Sequence, residues 1–219
     1  SYLWYPSKEH PSDEPEGADI HITVTKPLSV ASNGVLQKVT DSKNKWHTWH
    51  WKTNYNINPY NINFTVGNFE IVERIIPSLE KPLNTQFFVL GENREGADKL
   101  LDHAEIYIDF FTRSFGQYPW LKEKLGIVNT PYLGMEHQTI IAYGNDYKYN
   151  DKGYDFLLFH ELAHEWWGNY LSVSDWADFW IHEGFAIYSE ALFIEEKYGL
   201  NEYNNFFKKN LLKKIPLNR

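Results

Sequence analysis

Cysteine is absent from the 219 residues. No disulfide framework can form, and neither a thiolate metal ligand nor a cysteine nucleophile is available. The chain also lacks an apolar run of the ~20 residues that a membrane-spanning helix needs. Its opening, Ser1-Tyr2-Leu3-Trp4-Tyr5-Pro6, is not a signal peptide. These absences read as a soluble protein and leave the compartment open between cytoplasm and a periplasmic or secreted location. Positive charge is in deficit: 21 Lys and Arg stand against 29 Asp and Glu, a net −8. That balance argues against a nucleic-acid or anionic-membrane partner and favours cationic ones. Aromatic residues are plentiful, with nine Trp, fifteen Tyr and fourteen Phe. The length suits one large domain or two small ones. The chain opens directly on aromatic, strand-like sequence, which suggests that an upstream part is absent. Nothing in it sets an oligomeric state.

Residues 1–78 read as β-structure. Asp19 to Thr25 alternates strictly, with Ile20, Ile22 and Val24 on one face. Ser32-Asn33-Gly34 signals a turn before Val35 to Val39. Lys45 to Lys52 is a Trp-rich strand, and Asn61 to Gly67 alternates again. Short antiparallel strands at this spacing predict a sandwich or a saddle-shaped sheet. Residues three apart on a strand face opposite sides, so His47 and His50 do not share a metal. They, His10 and His21 read as ordinary polar or packed histidines.

Pro77 and Pro82 mark a boundary, giving domains at 1–78 and 79–219. A short strand follows at Phe87 to Leu90. Ala97, Leu100, Leu101, Ala104, Ile108, Phe111 and Phe115 then fall at helical spacing, with Gly116 as a stop. Lys124 to Thr130 reads as a strand. Helices are predicted over Gly153 to Trp167, closed by Gly168-Asn169, and over Trp180 to Tyr198. A third spans Asn201 to Leu212.

The chemistry concentrates in Phe159 to Asn169, which contains His160-Glu161-x-x-His164. On a helix, two residues four apart are ~6 Å apart along the axis and ~40° apart around it. His160 and His164 therefore project from one face, as ligands of one metal must. Glu161 sits ~100° round from His160, placed to reach a water at the metal without occupying it. Nineteen residues after His164 comes Glu183, a third ligand on the following helix. Two His and one Glu with an open fourth position is a catalytic zinc arrangement. Asp178 is either an acceptor for a ligand imidazole N–H or the N-cap of the second helix.

These motifs, extended by Trp166-Trp167-Gly168-Asn169 and by His182-Glu183-Gly184-Phe185-Ala186, resemble the gluzincin metallopeptidases of the aminopeptidase N and leukotriene hydrolase type. Residues 132–137 resemble that family's Gly-x-Met-Glu-Asn segment, with His137 in place of Asn. Trp4-Tyr5-Pro6, His10 to Asp13, and Asn58-Pro59-Tyr60 leading to Val66 to Phe69 resemble the second half of its N-terminal β-domain. The resemblance implies an α+β fold: the end of an antiparallel β-domain, then the first part of a thermolysin-like zinc catalytic domain, a small sheet plus helices. It implies one Zn2+ per chain, held by His160, His164 and Glu183, with Glu161 as general base. It places Glu136 on the free α-ammonium of a peptide substrate and the backbone of Gly134 and Met135 along the peptide. His182 takes a family Asn position and is not counted as a ligand, and Glu165 stands where the family often has Gln.

The activity so implied is that of a zinc aminopeptidase acting on peptides with a free N-terminus. The family's oxyanion-stabilising tyrosine lies well beyond the third ligand. Tyr188, Tyr198 and Tyr203 follow Glu183 too soon to fill that role. The chain is thus expected to be a central fragment, weakly active or inactive by itself. Rival readings are an epoxide hydrolase using the same zinc, a non-catalytic scaffold, and a thermolysin-like endopeptidase. Glu136 argues against the last, and the intact His160, Glu161, His164 and Glu183 set argues against the scaffold.

Overall fold

A computed structural model describes residues 3–91 and 94–211. Ten strands and four α-helices occur among the described residues. The chain begins with β1 (Asp19–Thr25), β2 (Ser29–Ser32), β3 (Val35–Asp41) and β4 (Trp46–Lys52). β4 lies between β1 and β3, antiparallel to both. β2 pairs antiparallel with β5 (Phe64–Gly67). Alternation works as expected on β1, where Ile20 and Val24 are buried and Asp19, His21 and Thr23 face outward. His47 and His50 do part company: the His47 ring reaches the Leu28 carbonyl at 2.7 Å, whereas His50 lies beside Asp19.

A five-stranded mixed sheet follows, in the order β6-β7-β8-β10-β9. It is built from β6 (Phe69–Ile76), β7 (Leu83–Leu90), β8 (Leu125–Asn129), β9 (Gly134–Met135) and β10 (Ile141–Tyr143). β7, β8 and β10 run parallel, while β6 and β9 are antiparallel edges. The central strands are buried on both faces, which is why they read as continuous apolar runs. Phe88 and Val128, with Ile140 beside them, pack toward the first strands. Phe87, Val89, Leu125, Ile127, Ile141 and Tyr143 pack toward the helices. β7 begins at Leu83, four residues before the expected Phe87. Pro82 removes only its own N–H, and Leu83, Thr85 and Phe87 alternate inward directly after it. The turn between β6 and β7 holds residue 78, so the anticipated boundary falls between two strands of one sheet.

The helices are α1 (Arg94–Phe115), α2 (Phe156–Ala163), α3 (Trp180–Tyr198) and α4 (Leu200–Phe206). The apolar stripe predicted for α1 is buried from Ala97 to Phe111. α3 matches its expected limits. The helix expected over Asn201 to Leu212 appears as α4 and a π-type turn at Phe207–Leu211, and Leu212 lies outside the described residues. α2 is shorter than the predicted Gly153 to Trp167. Asp155 caps it, its Oδ1 accepting the Leu158 N–H at 2.9 Å. Beyond His164 the backbone opens into a π-type turn, Glu165–Tyr170, with Trp167 and Gly168 outside helical geometry. Among the described residues no helix is long and apolar enough to cross a membrane. The architecture is α+β.

Candidate metal centre

α2 and α3 lie against each other in the main core, and their facing sides bring the three expected ligands together. His160 Nε2 lies 3.2 Å from His164 Nε2 and 3.3 Å from Glu183 Oε2. His164 Nε2 lies 3.7 Å from Glu183 Oε1. A tetrahedral ion with bonds of about 2.0–2.1 Å needs ligand atoms about 3.3–3.4 Å apart; the His160–His164 separation matches that edge, and the Glu183 carboxylate lies close enough to both rings to close the triangle, each ring facing a different one of its oxygens. His164 is buried, and its Nδ1 donates to the Trp167 carbonyl at 2.9 Å. That bond leaves the Nε2 lone pair toward the centre, the orientation a ligand imidazole requires. Trp167 can present its carbonyl there because the chain leaves the helix at Gly168, whose φ of +135° an L side chain rarely adopts.

Charge distributes unevenly here. The Glu183 carboxyl is held below its usual range, chiefly by the hydrogen bond from His160. Burial pulls His160 down, but Glu183, Glu161 and Glu190 together outweigh it and leave the ring above its ordinary value. Burial lowers His164. Burial also pushes Glu161 up to about 8, with Glu136 and Glu183 adding to the rise against His160.

Glu161 projects beside the ligand cluster, against β9. A Cβ on Gly134 would sit 2.5 Å from Glu161 Oε1 and 2.8 Å from Leu157 Cδ1. The absent side chain is what lets the carboxyl lie on the strand. Glu136 follows two residues later, buried, and its ligand atoms group with those of Glu161 and His164 within 4.8 Å of one another. Met135 is half-buried on β9, paired with Ala142 of β10.

Several further groups support the cluster, in contacts that the sequence does not show. Tyr60, in the 3₁₀ turn Pro59–Asn61, donates its hydroxyl to Glu136 Oε1 at 3.2 Å. Its ring stands edge-on to Trp176 and Phe179. Asn169 donates to the Glu136 carbonyl at 2.8 Å and accepts from Asn61 at 2.7 Å. Glu165 accepts from Trp120 Nε1 at 2.6 Å and from the Thr139 N–H at 2.9 Å. It is fully buried, and burial pushes its carboxyl up to about 7. Only a fold brings residues 60, 136 and 169 together. The signal available in sequence was Asn169 among Trp166, Trp167, Tyr170 and Leu171; Asn61 lies in an Asn-rich stretch that gives none.

His182 is buried and its Nε2 accepts the Val173 N–H at 3.1 Å, turned away from the cluster. Asp178 is not the N-cap of α3: Phe179 occupies that position, and Asp178 ends a short 3₁₀ turn that Asp175 caps.

Residues 100–216 match the family model "Peptidase family M1 domain". Leucine aminopeptidase 2 of Vanderwaltozyma polyspora is 29% identical over 186 residues, which cover 80% of this chain and 26% of that protein. Glutamyl aminopeptidase of Homo sapiens is 28% identical, over 79% of this chain and 19% of its own length. The chain thus spans about a quarter or less of these curated relatives. Among solved structures, an M1 zinc metallopeptidase from Deinococcus radiodurans superposes with a TM-score of 0.75 at 22% identity, over 97% of this chain and 48% of that one. Legionella pneumophila aminopeptidase A, in complex with aspartic acid, gives 0.74 at 17% identity, over 85% and 24%. These structures share the α+β fold. The family model covers more than half of the residues, including the whole ligand cluster, and on that match the chain belongs to peptidase family M1.

Proposed function

We propose that this chain is the central part of a zinc-dependent aminopeptidase that removes N-terminal residues from peptides. The observation that carries the reading is the convergence of His160 Nε2, His164 Nε2 and a Glu183 carboxylate at separations of 3.2–3.7 Å, with Glu161 alongside. His160, His164 and Glu183 would hold one zinc ion. When bound, zinc supplies a Lewis acid that polarises the scissile carbonyl and makes water acidic.

The remaining steps belong to the chain's own side chains. Glu161 takes the proton of the attacking water and returns it to the leaving amine. A carboxyl that burial pushes up to about 8 holds a proton well enough for the second task. With a cation held at the His160 centre, the Glu161 carboxyl would favour the ionised form needed for the first. Glu136, buried and anchored by Tyr60, receives the substrate α-ammonium. Only the first peptide bond then reaches the water. The strand edge at Gly134 and Met135 offers backbone groups to the peptide. The reading takes residues 1–78, which contribute Tyr60, as the end of the β-domain and residues 79–219 as the first part of the catalytic domain.

The test is one peptide with a free or an acetylated N-terminus, incubated with the zinc-loaded parent protein. Cleavage of the free form alone is expected, and Glu161→Gln should abolish it without loss of zinc. Equal cleavage of both forms overturns the exopeptidase assignment. Full activity of Glu161→Gln overturns the base.

A further inference from the structure

Far along the chain from the centre just described, the outer face of the β1-β4-β3 sheet carries a second group with the same donor chemistry. His21 of β1 is paired directly with His50 of β4, and Asp19 lies two residues before His21 on the same outward face. Directly opposed residues of an antiparallel pair have Cβ atoms about 4.5–5.5 Å apart, and their diagonal neighbours remain in reach of long side chains. Here the ligand atoms of Asp19, His21 and His50 all fall within 4.8 Å of one another. The two imidazoles stack at 4.0 Å, and His50 Nε2 lies 2.6 Å from Asp19 Oδ1. His50 Nδ1 is buried and has no hydrogen-bond partner. The nitrogen offered outward is therefore Nε2, the one already on the carboxylate.

We propose that Asp19, His21 and His50 form a second cation site, for a borderline divalent transition metal of which zinc is the representative. Two imidazoles and one carboxylate suit zinc, nickel or copper(II), whereas calcium and magnesium require a shell of oxygen ligands. The ladder fixes the register of all three residues, so their backbone positions are set before the ion arrives. Two changes accompany binding. The Nε2 proton that His50 donates to Asp19 must shift to Nδ1, so that the ring stays neutral and offers its Nε2 lone pair, and the exposed His21 ring turns out of its stack to aim a nitrogen at the ion. Lys52, whose Nζ is 4.0 Å from Asp19 Oδ2, and Lys38, in register with His50 on β3, oppose the ion. They make this the weaker of the two zinc classes. A bound ion would tie β1 to β4.

The site is tested on the chain as it stands, by equilibrium dialysis against zinc at neutral pH. The wild type is compared with His21→Gln/His50→Gln. Loss of a partner outside the ligand shell alone costs about 10–100-fold in metal affinity. Loss of two ligands should therefore remove the class entirely, and the variant should bind one zinc fewer. Because the result is a difference between two proteins, it stands whether or not the His160 centre fills. Failure of the aminopeptidase reading is thereby kept separate. A second measurement needs no variant: the ring nitrogen resonances of His21 and His50 in the 15N-labelled wild type should shift as the weaker class fills. Equal zinc content in the two proteins, or ring resonances that do not move at saturating zinc, overturns the proposal.

Discussion

Asp155 sets the start of α2, and replacing it tests how the ligand-bearing helix is held. It is fully buried, and its two carboxyl oxygens have separate tasks. Oδ1 accepts the Leu158 N–H at 2.9 Å, and Oδ2 accepts the Tyr143 hydroxyl at 2.5 Å and the Asn145 amide at 3.1 Å. In Asp155→Ala the lost cap costs about 1 kcal/mol. The Tyr143 hydroxyl proton is then stranded in the core, a further cost of about 1–3 kcal/mol. Asn145 keeps its bond to the Lys148 carbonyl at 2.8 Å and adds little. The sum is about 2–4 kcal/mol, which in a chain of this size lowers Tm by roughly 5–15 °C. Asp155→Asn separates the two parts. Asn caps a helix as well as Asp does, so only the Tyr143 share should be lost. Urea melts of the three proteins, with unchanged m-values, give the comparison. A loss below about 1 kcal/mol for Asp155→Ala, or equal losses for both variants, would refute the reasoning.

Three further outcomes are expected. Gly134→Ala places a methyl 2.5 Å from Glu161 Oε1; displacing that carboxyl by even ~1 Å should cost the parent enzyme about 10²-fold in kcat/KM, with zinc content unchanged. Tyr60→Phe removes the hydroxyl on Glu136 and should raise KM for free-N-terminus peptides by about 10-fold or more, the low end of what one hydrogen bond to a charged group contributes, while kcat stays near wild type. Lys124 is buried, donates to the Ser32 and Gly34 carbonyls, and is pulled down to about 7 by that burial. Its folded value lies below its unfolded one, so the unfolded chain holds the extra proton between about pH 7 and 10 and stability rises with pH there. Measured against Lys124→Met across that window, the wild type should gain up to about 1.4 kcal/mol per pH unit; a flat difference contradicts the assignment.

How much of this could be read beforehand depended on the range of the interactions. α1 and α3 were legible because their buried faces repeat at helical spacing, and the ligand set because His160 and His164 are fixed by one helix turn. The end of α2 was not, since Trp166 and Trp167 look like continuing helix. Gly168-Asn169 marked the stop, but the regular helix gives way to a π-type turn already after His164, held by the His164–Trp167 hydrogen bond, which helical spacing does not show. The same limit hid the His21–His50 pair. Considered three apart on one strand, His47 and His50 diverge as expected, but the partner of His50 lies 29 positions earlier, and only strand register brings it near.

The buried polar residues explain why a β-portion remote in sequence is needed at the centre. Asn33 donates to the Gln138 carbonyl at 2.5 Å, and the Gly34 N–H reaches Thr139 Oγ1 at 2.9 Å. Asn61 reaches Asn169, which holds the Glu136 carbonyl, and Tyr60 holds the Glu136 carboxyl. Apolar packing is tolerant of small slides, whereas a buried donor that loses its acceptor costs about 1–3 kcal/mol. A seam made of such bonds has one low-energy register. These bonds from residues 33–61 end on the 136–139 segment, which begins with Glu136, and on Asn169, in the turn just after His164. The β-portion therefore acts on the centre through hydrogen bonds that fix where Glu136 stands relative to His164, and not by supplying a ligand.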